Sequence, residues 1–201
     1  MSEHTPLFSV IVPAYNSEKY IRKALDSIAE QTFTDYELII VCDSCTDRTE
    51  EIAREYSDMV YIVNYGQDGQ TRNAGLDHAT GKWVLFLDDD DWYLHDFVFQ
   101  MIADAISQDN LDILVFSYVQ RKVGYHDVRH GMGVVCWNKC WRRSFIGDTR
   151  FSDAKRISDT HFHSAMMQKK ARLALWSQPF VYYNWLRVGS QNQRWQNGEI
   201  E

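Results

Sequence analysis

The stretch from Gly81 to Trp92, GKWVLFLDDDDW, constrains the fold more than any other part of this chain of 201 residues. Its apolar run at 83–87 does not alternate with polar residues and is too short for a typical helix. It therefore predicts a strand that is buried on both faces. Four aspartates, Asp88 to Asp91, follow directly, at the end of the strand where open α/β sheets bind ligands. Adjacent carboxylates repel one another, and a divalent cation is the usual remedy; a solvated acidic loop is the alternative interpretation.

Strands and helices are predicted to alternate through the first 119 residues. Apolar runs predict strands at residues 8–12, 38–41, 60–63, 83–87 and 113–119. Pro13 should end the first strand, because proline has no amide hydrogen to donate to a neighbouring strand. The helices between the strands are predicted to begin at Asn16 or Ser17, at Thr46 or Asp47, at residue 72 and at about residue 94. Asn16 or Ser17 can cap the first of these helices. Repeated βα units of this length predict an α/β fold with a mostly parallel, doubly wound, Rossmann-like sheet.

The pattern changes after Val119. Residues 121–133 carry charged residues, two His and three Gly without periodicity, and predict a loop. Beyond it we predict helices at 137–145 and 159–170, and short strands at 173–176 and 180–185. Neither a repeat nor a linker divides the chain, so we expect one domain over residues 1–201. Residues 7–119 would form its first part, residues 120–190 a smaller mixed region, and residues 191–201 a flexible tail.

Charge and hydropathy narrow the class of protein. The net charge of -7 gives no electrostatic case for nucleic acid as the main partner. No apolar run approaches the roughly 20 residues that a membrane span needs. The beginning of the chain also lacks the apolar segment of a signal peptide. We therefore expect a cytoplasmic protein, and attachment to a membrane surface is left open.

Four cysteines form two closely spaced pairs, Cys42 with Cys45 and Cys136 with Cys140. Together they could form a zinc site with four thiolate ligands. The pairs lie 90 residues apart and neither is set in a small module rich in Cys and His. We therefore expect free thiols and no zinc.

Polar residues follow several of the predicted strands. Tyr15 and Asn16 follow the first strand, Asp43 ends the second, Arg72 opens a helix, and Asp88 begins the run of aspartates. The carboxyl ends of parallel strands meet at one edge, so these side chains should share a rim. A nucleotide needs such a rim, with an apolar wall for the base, a carboxylate for its NH or for the ribose, and a cation for the diphosphate. Taken singly, Asp43 could be a helix cap and Tyr15 a packing residue.

Three segments carry a family resemblance. They read VIVPAYNSEKYIRKALDSIAEQT, LIIVCDSCTD and TRNAGLDHATGKWVLFLDDDDW, and they resemble the family 2 glycosyltransferases, which have the GT-A fold. The resemblance is strong over residues 7–107 and continues more weakly through Trp137-Asn138-Lys139 and residues 158–162. It implies an inverting transfer of a sugar from a nucleotide diphosphate donor, here a UDP-sugar, to an acceptor hydroxyl, assisted by Mg2+ or Mn2+. The implied acceptor is a glycan or a lipid-linked glycan, and a homodimer is left open.

The resemblance also implies roles for particular residues. The positions that match the family's nucleotide-sugar contacts are Pro13, Tyr15, Asn16, Asp43, Arg72, Asp88 and Asp89. Within this set Asp43 would lie at the base, Arg72 near the base or diphosphate, and Asp88 near the ribose. Asp90, the second acid of the family's Asp-x-Asp motif, would hold the metal, with Asp88 and Asp91 as helpers. Asp159 matches the acid that removes the acceptor's proton.

Three other downstream carboxylates are candidates for the role of base. Asp127 falls in the predicted loop, and Asp148 and Asp153 fall in polar turns. Asp159 stands at a predicted helix start, where a helix cap is the alternative role.

The chain departs from the family pattern at three positions. Cys42 and Ser44 stand where the family often has Asp and Gly, and Ser158 replaces the Glu that precedes the proposed base. These departures keep a second class of function open, a nucleotide-sugar-binding or scaffold protein without turnover. A sugar nucleotidyltransferase is a third class. It is disfavoured because the Gly-rich, Arg-containing loop expected after its first strand is absent at residues 13–17.

Overall fold

The computed structural model describes residues 4–108, 110–122, 125–154 and 157–184. Nine strands in these ranges form one sheet. They are β1 (Phe8–Ala14), β2 (Tyr36–Asp43), β3 (Val60–Val63), β4 (Trp83–Phe86), β5 (Trp92–Tyr93), β6 (Ile113–Lys122), β7 (Tyr125–Arg129), β8 (Lys139–Arg142) and β9 (Leu173–Tyr183). The helices are α1 (Ile21–Ala29), α2 (Thr49–Ala53), α3 (Asp68–His78), α4 (Val98–Gln108), α5 (Arg143–Ile146) and α6 (Ser158–Gln168). The strand order is β3-β2-β1-β4-β8-β6-β9-β5, and β7 pairs with β6.

The first half of the sheet is parallel, which confirms the predicted α/β architecture. β2 pairs with β3, and β1 lies between β2 and β4, all in the same direction. Every residue of β1 and of β4 is buried, so the non-alternating apolar runs were correctly interpreted as strands covered on both faces. Helix α1 turns Ile21, Ala24, Leu25 and Ile28 towards this core, as their spacing predicts.

Two predictions about the first βα unit were wrong. β1 does not stop at Pro13 but runs to Ala14, with Pro13 opposite Val41 of β2. β4 pairs only with the first four residues of β1, so one side of β1 is unpaired at Pro13 and the missing amide needs no partner there. Helix α1 begins without a side-chain cap: the carbonyl of Ser17, not its hydroxyl, accepts from the amides of Tyr20 and Ile21.

The second half of the sheet mixes directions and corrects three predictions. Residues 139–142, expected in a helix, form β8, which is antiparallel to both β4 and β6. Much of the predicted loop at 121–133 is instead the hairpin of β6 with β7. The two expected strands after residue 172 are one strand, β9, whose pairing with β6 shifts register near Ser117. Residue 185 and the expected tail at 191–201 lie outside the described residues.

A helix that crosses a membrane needs roughly 20 predominantly apolar residues. Among the helices of the described ranges, none combines the length and the apolar character needed to cross a bilayer.

Candidate active site

Two loops at the carboxyl ends of β1 and β2 are tied together. Asn16 and Ser44 adopt left-handed backbone conformations, with φ of 45° and 55°, which turn each loop sharply after its strand. The side-chain oxygen of Asn16 accepts a hydrogen bond from the Thr46 amide at 2.8 Å. Asn16 therefore joins the two loops, instead of capping α1 as predicted. Tyr15 is 44% exposed at this rim, and its amide donates to Asp89 Oδ2 at 3.0 Å, which adds the loop after β4.

Asp43 ends β2 and is buried beneath the segment that leads into α3. Its two carboxylate oxygens accept five hydrogen bonds, from the amides of Tyr65 (2.8 Å), Gly66 (3.0 Å) and Gln67 (3.1 Å) and from the hydroxyls of Ser44 (2.9 Å) and Thr71 (2.7 Å). Burial alone would raise the pKa of Asp43, but these donors outweigh it and lower the pKa below its ordinary value. Asp43 thus shapes the loop at 65–67 beside the rim.

The four aspartates after β4 do not form a solvated loop. Asp89 and Asp91 are buried, while Asp88 and Asp90 are half-buried. Oδ1 of Asp91 accepts from the Asn184 amide at 2.8 Å, and its Oδ2 has no hydrogen-bond partner among the described residues. Burial raises the pKa of Asp88 and that of Asp91, and the neighbouring carboxylates raise the pKa of Asp91 further. The site therefore concentrates negative charge that a cation would stabilise.

Arg72 links the aspartate run to the C-terminal half of the chain. Its guanidinium is almost fully buried and lies 2.6 Å from Asp88 Oδ1 and 3.7 Å from Asp159 Oδ1. Asp159 lies in the first turn of α6, and its Oδ2 accepts from the Cys136 amide at 3.2 Å. The first turn of α3 packs closely on α6, since a Cβ built on Gly69 would lie 2.9 Å from Ser158 Cβ. The structure thus brings Asp159 to the rim that Asp88 occupies.

The other carboxylates considered as the base lie elsewhere. Asp127 is on β7, where its carboxylate pairs with Arg129 Nε at 2.9 Å, and Asp148 and Asp153 are exposed. The helix-cap alternative for Asp159 is wrong, because the N-cap residue of α6 is Ile157 and no side chain caps this helix.

Two residues of this site, Asp68 and Lys139, were not among those predicted from the sequence. Asp68 opens α3 one turn before Arg72, and burial raises the pKa of its carboxyl to about 6, with Asp88, Asp89 and Asp159 also acting to raise it. The spacing of four residues between Asp68 and Arg72 on a helix could have indicated this proximity. Lys139 is fully buried in β8, close to Asp159. In the sequence, only the weak resemblance to the family at residues 137–139 indicated Lys139.

The carboxylates suit a hard divalent cation that also binds substrate oxygens. Hard oxygen donors are the ligands that Mg2+ and Mn2+ prefer, and the unpartnered Oδ2 of Asp91 adds one beside Asp90. Within the described ranges, no three His, Cys, Asp or Glu side chains converge on a point where protein ligands alone would hold a metal. The four cysteines are free thiols: Cys42 lies in β2 and Cys45 just after it, while Cys136 precedes β8 and Cys140 lies in it.

Solved structures with known ligands share this architecture. The complex of Staphylococcus aureus TarS 1–349 with UDP-GlcNAc matches with a TM-score of 0.81 and 26% identity, over 92% of this chain and 60% of that one. The mannosyltransferase PcManGT from Pyrobaculum calidifontis, solved with GDP-Man and Mn2+, matches with a TM-score of 0.73 at 16% identity, over 98% and 62% of the two chains. At that identity the second match supports the fold alone. The architecture is the GT-A fold of glycosyltransferases, as predicted.

Sequence comparison then assigns the family. The family model for glycosyl transferase family 2 matches residues 9–176, so the chain belongs to that family. EpsH of Bacillus subtilis is 30% identical in an alignment that covers 98% of this chain and 66% of EpsH. The poly(ribitol-phosphate) beta-N-acetylglucosaminyltransferase TarS of S. aureus is 40% identical over 116 residues, 54% of this chain and 20% of TarS. The chain thus spans less than two thirds of the length of these relatives.

Proposed function

We propose that this chain is an inverting glycosyltransferase that moves a sugar from a UDP-sugar to an acceptor hydroxyl in the synthesis of a polysaccharide or other glycan. The observation that carries the proposal is the position of Arg72, which joins Asp88 on the donor side to Asp159 on the acceptor side. A displacement at a sugar carbon needs functional groups on both faces of the sugar, because the acceptor attacks opposite the departing diphosphate. The similarity to TarS, which was solved with UDP-GlcNAc, supports UDP-GlcNAc as the first donor to test.

The loops after β1 and β2 would hold the nucleotide. Tyr15 is exposed at the rim and can lie against the base, while Pro13 and Asn16 shape the turn that carries it. Asp43 acts on the base pocket through the loop at 65–67, because its oxygens already accept five hydrogen bonds. The residues that follow Asp43 in the chain can still contact the base. The carboxylate of Asp43 itself has little capacity left to accept further hydrogen bonds.

The aspartate run would hold the diphosphate end of the donor. Asp88 and Asp89 are fixed by Arg72 and by the Tyr15 amide, and Asp90 is the residue we assign to Mg2+ or Mn2+. When bound, such a cation would stabilise negative charge on the departing diphosphate. Arg72, buried between two carboxylates, pairs with Asp88 and so compensates part of the negative charge of the run before the donor arrives.

Asp159 is the residue we assign as the general base. Oδ2 is oriented by the Cys136 amide, and Oδ1 accepts no hydrogen bond among the described residues, so it has capacity for the acceptor hydroxyl. In the proposed step the acceptor oxygen attacks the anomeric carbon, its proton passes to Asp159, and the bond to the diphosphate oxygen breaks with its electron pair on the leaving group. The anomeric configuration inverts because attack and departure occur on opposite faces.

The acceptor we propose is a glycan or a lipid-linked glycan, used on the cytoplasmic side of a membrane where the chain could associate peripherally. The support is the similarity to TarS, a poly(ribitol-phosphate) beta-N-acetylglucosaminyltransferase.

The test is release of nucleoside diphosphate from a panel of nucleotide sugars, measured with and without Mn2+ and a glycan acceptor. We expect a metal-dependent release with a UDP-sugar, fastest with acceptor present. Metal-dependent binding of UDP without release from any donor would support the scaffold alternative, which the buried Ser158 in place of a glutamate keeps open.

A further inference from the structure

A buried lysine lies behind the proposed base. Lys139 is in β8 between two other strands, and none of its surface is exposed. Its ammonium donates to the carbonyls of Gly133 and Val135 and to the side-chain oxygen of Asn138, each at 2.6 Å. An ammonium has three hydrogens, and all three are used here. Lys139 is therefore placed to hold backbone, and it has no donor left for a substrate.

The backbone that Lys139 holds is the segment Gly131 to Cys136, which belongs to no helix or strand. Asn138 Nδ2 donates to the Gly131 carbonyl at 3.3 Å, and Trp141 Nε1 donates to the Cys136 carbonyl at 3.1 Å. Side chains of β8 and of the residue before it thus bind carbonyls that, in a strand, would be hydrogen-bonded to a neighbouring strand. Asn138, just before β8, and Lys139 and Trp141 within it therefore hold both ends and the middle of this segment.

The segment ends at the proposed base. The amide of Cys136, the last residue of the segment, donates to Asp159 Oδ2 at 3.2 Å. The opposite carboxylate oxygen faces Arg72 at 3.7 Å. The orientation of Asp159 therefore depends on where the Cys136 amide lies, and that depends on the bonds made by Lys139 and Trp141.

We propose that Lys139 is a positioning residue for the transfer reaction, which fixes the segment 131–136 so that the Cys136 amide orients Asp159. The proposal rests on the function proposed above. A buried charge is costly unless it is fully hydrogen-bonded, and an apolar residue would fill a core strand at lower cost. The role of Lys139 in fixing the segment 131–136 therefore explains why a core strand carries a lysine whose ammonium is fully hydrogen-bonded.

The pH dependence provides a readout that a purely structural role would not give. Burial lowers the pKa of Lys139 to about 8, while Cys136 and Asp159 act to raise it. The other titratable group facing it is His163 of α6, whose pKa is lowered by burial and by Lys139. Above about pH 8 the neutral amine keeps only two hydrogens, so one carbonyl loses its donor and the segment loosens. Turnover should fall there.

Stability should change in the opposite direction. The folded-state pKa of Lys139 is below its ordinary value of 10.5, so the unfolded chain binds more protons between about pH 8 and 10.5. This group's contribution to the free energy of unfolding therefore rises with pH over that window. If Lys139 contributed only to stability, turnover would not fall over the pH range in which its contribution to the free energy of unfolding rises.

The experiment compares Lys139→Met with Lys169→Met. Lys169 is a matched control, because its ammonium also donates to two backbone carbonyls, those of Phe145 and Ile146, at the other end of α6. That end is roughly 15 Å from Asp159, at about 1.5 Å per residue. We expect Lys139→Met to lower turnover about tenfold to a hundredfold and to speed hydrogen exchange of the Cys136 amide, which donates to Asp159. Binding of UDP with Mn2+ should stay within about twofold, and Lys169→Met should change none of the three.

Several outcomes would overturn the inference. Unchanged exchange of the Cys136 amide in Lys139→Met would show that the lysine does not hold the segment. Faster exchange with full turnover would show that the segment does not position the base. If Lys139→Met fails to fold, the wild-type profile decides, and constant turnover from pH 7.5 to about pH 9.5 would refute the inference. A wild-type chain that turns over no donor would refute the proposed function, and amide exchange would then judge Lys139 separately.

Discussion

Replacing Asp159 by Asn tests the chemistry with the smallest structural change. The variant keeps a side-chain oxygen for the Cys136 amide, so the contact at 3.2 Å can persist. It loses the ion pair with Arg72, but that pair is long, at 3.7 Å, and Arg72 keeps Asp88 at 2.6 Å. Asp159 does not cap α6 in the structure, so no cap is lost. We therefore expect a decrease of about 1 kcal/mol or less in the free energy of unfolding.

The expected loss of rate is much larger. An amide cannot take the acceptor's proton, and removing a general base costs typically about 10²- to 10⁴-fold in rate. That is roughly 3 to 5 kcal/mol of transition-state free energy. The assay is release of UDP at saturating donor with Mn2+ and acceptor, accompanied by the melting temperature and by calorimetry of UDP binding. Asp153→Asn, at an exposed aspartate of the preceding turn, is the matched control and should behave as wild type. Full activity in Asp159→Asn, with normal donor binding, would refute the assignment of the base.

Three further predictions concern the donor side. Asp90→Asn should abolish the metal dependence of UDP binding without lowering the melting temperature, and calorimetry that shows unchanged metal-dependent affinity would contradict the assignment. Arg72→Met should lower the free energy of unfolding by about 3 kcal/mol, because Asp88 and Asp159 lose their shared cation; denaturant titration measures this loss. Asp43→Asn should destabilise the fold at pH 7. The folded-state pKa of Asp43 lies below 3.8, so the difference in stability between wild type and variant should shrink as the pH falls from about 3.8 through the folded-state pKa. A difference that stays constant down to pH 2 would contradict the role of the five hydrogen bonds.

Much of the donor half of the site could be predicted from local sequence. Tyr15, Asp43 and Asp88 were placed on one rim because each follows an apolar strand, and the structure confirms that the strands are parallel. Their contacts could not be predicted in the same way. That Asp43 is saturated by the amides of residues 65–67 depends on how the chain returns after β3, which no local pattern encodes.

The C-terminal half was harder to predict because its elements depend on distant partners. Residues 139–142 have a sequence compatible with a helix, but β4 and β6 leave space for an antiparallel strand between them, and strand pairing there outweighs local preference. Residues 125–129 are polar because β7 is an edge strand, and only its pairing with β6 distinguishes it from a loop.

By itself, the sequence determined the parallel strands, their buried faces and the acidic run that follows β4. The physical reason is that burial on both faces requires continuous apolar residues, and that requirement is visible in a window of five residues. Only the tertiary structure decided that Arg72 would lie between Asp88 and Asp159, and that the ammonium of Lys139 would organise the segment beside the base. Those contacts join residues that are distant in the chain or depend on an irregular backbone. They form because strand pairing and helix packing bring segments that are distant in the chain into contact.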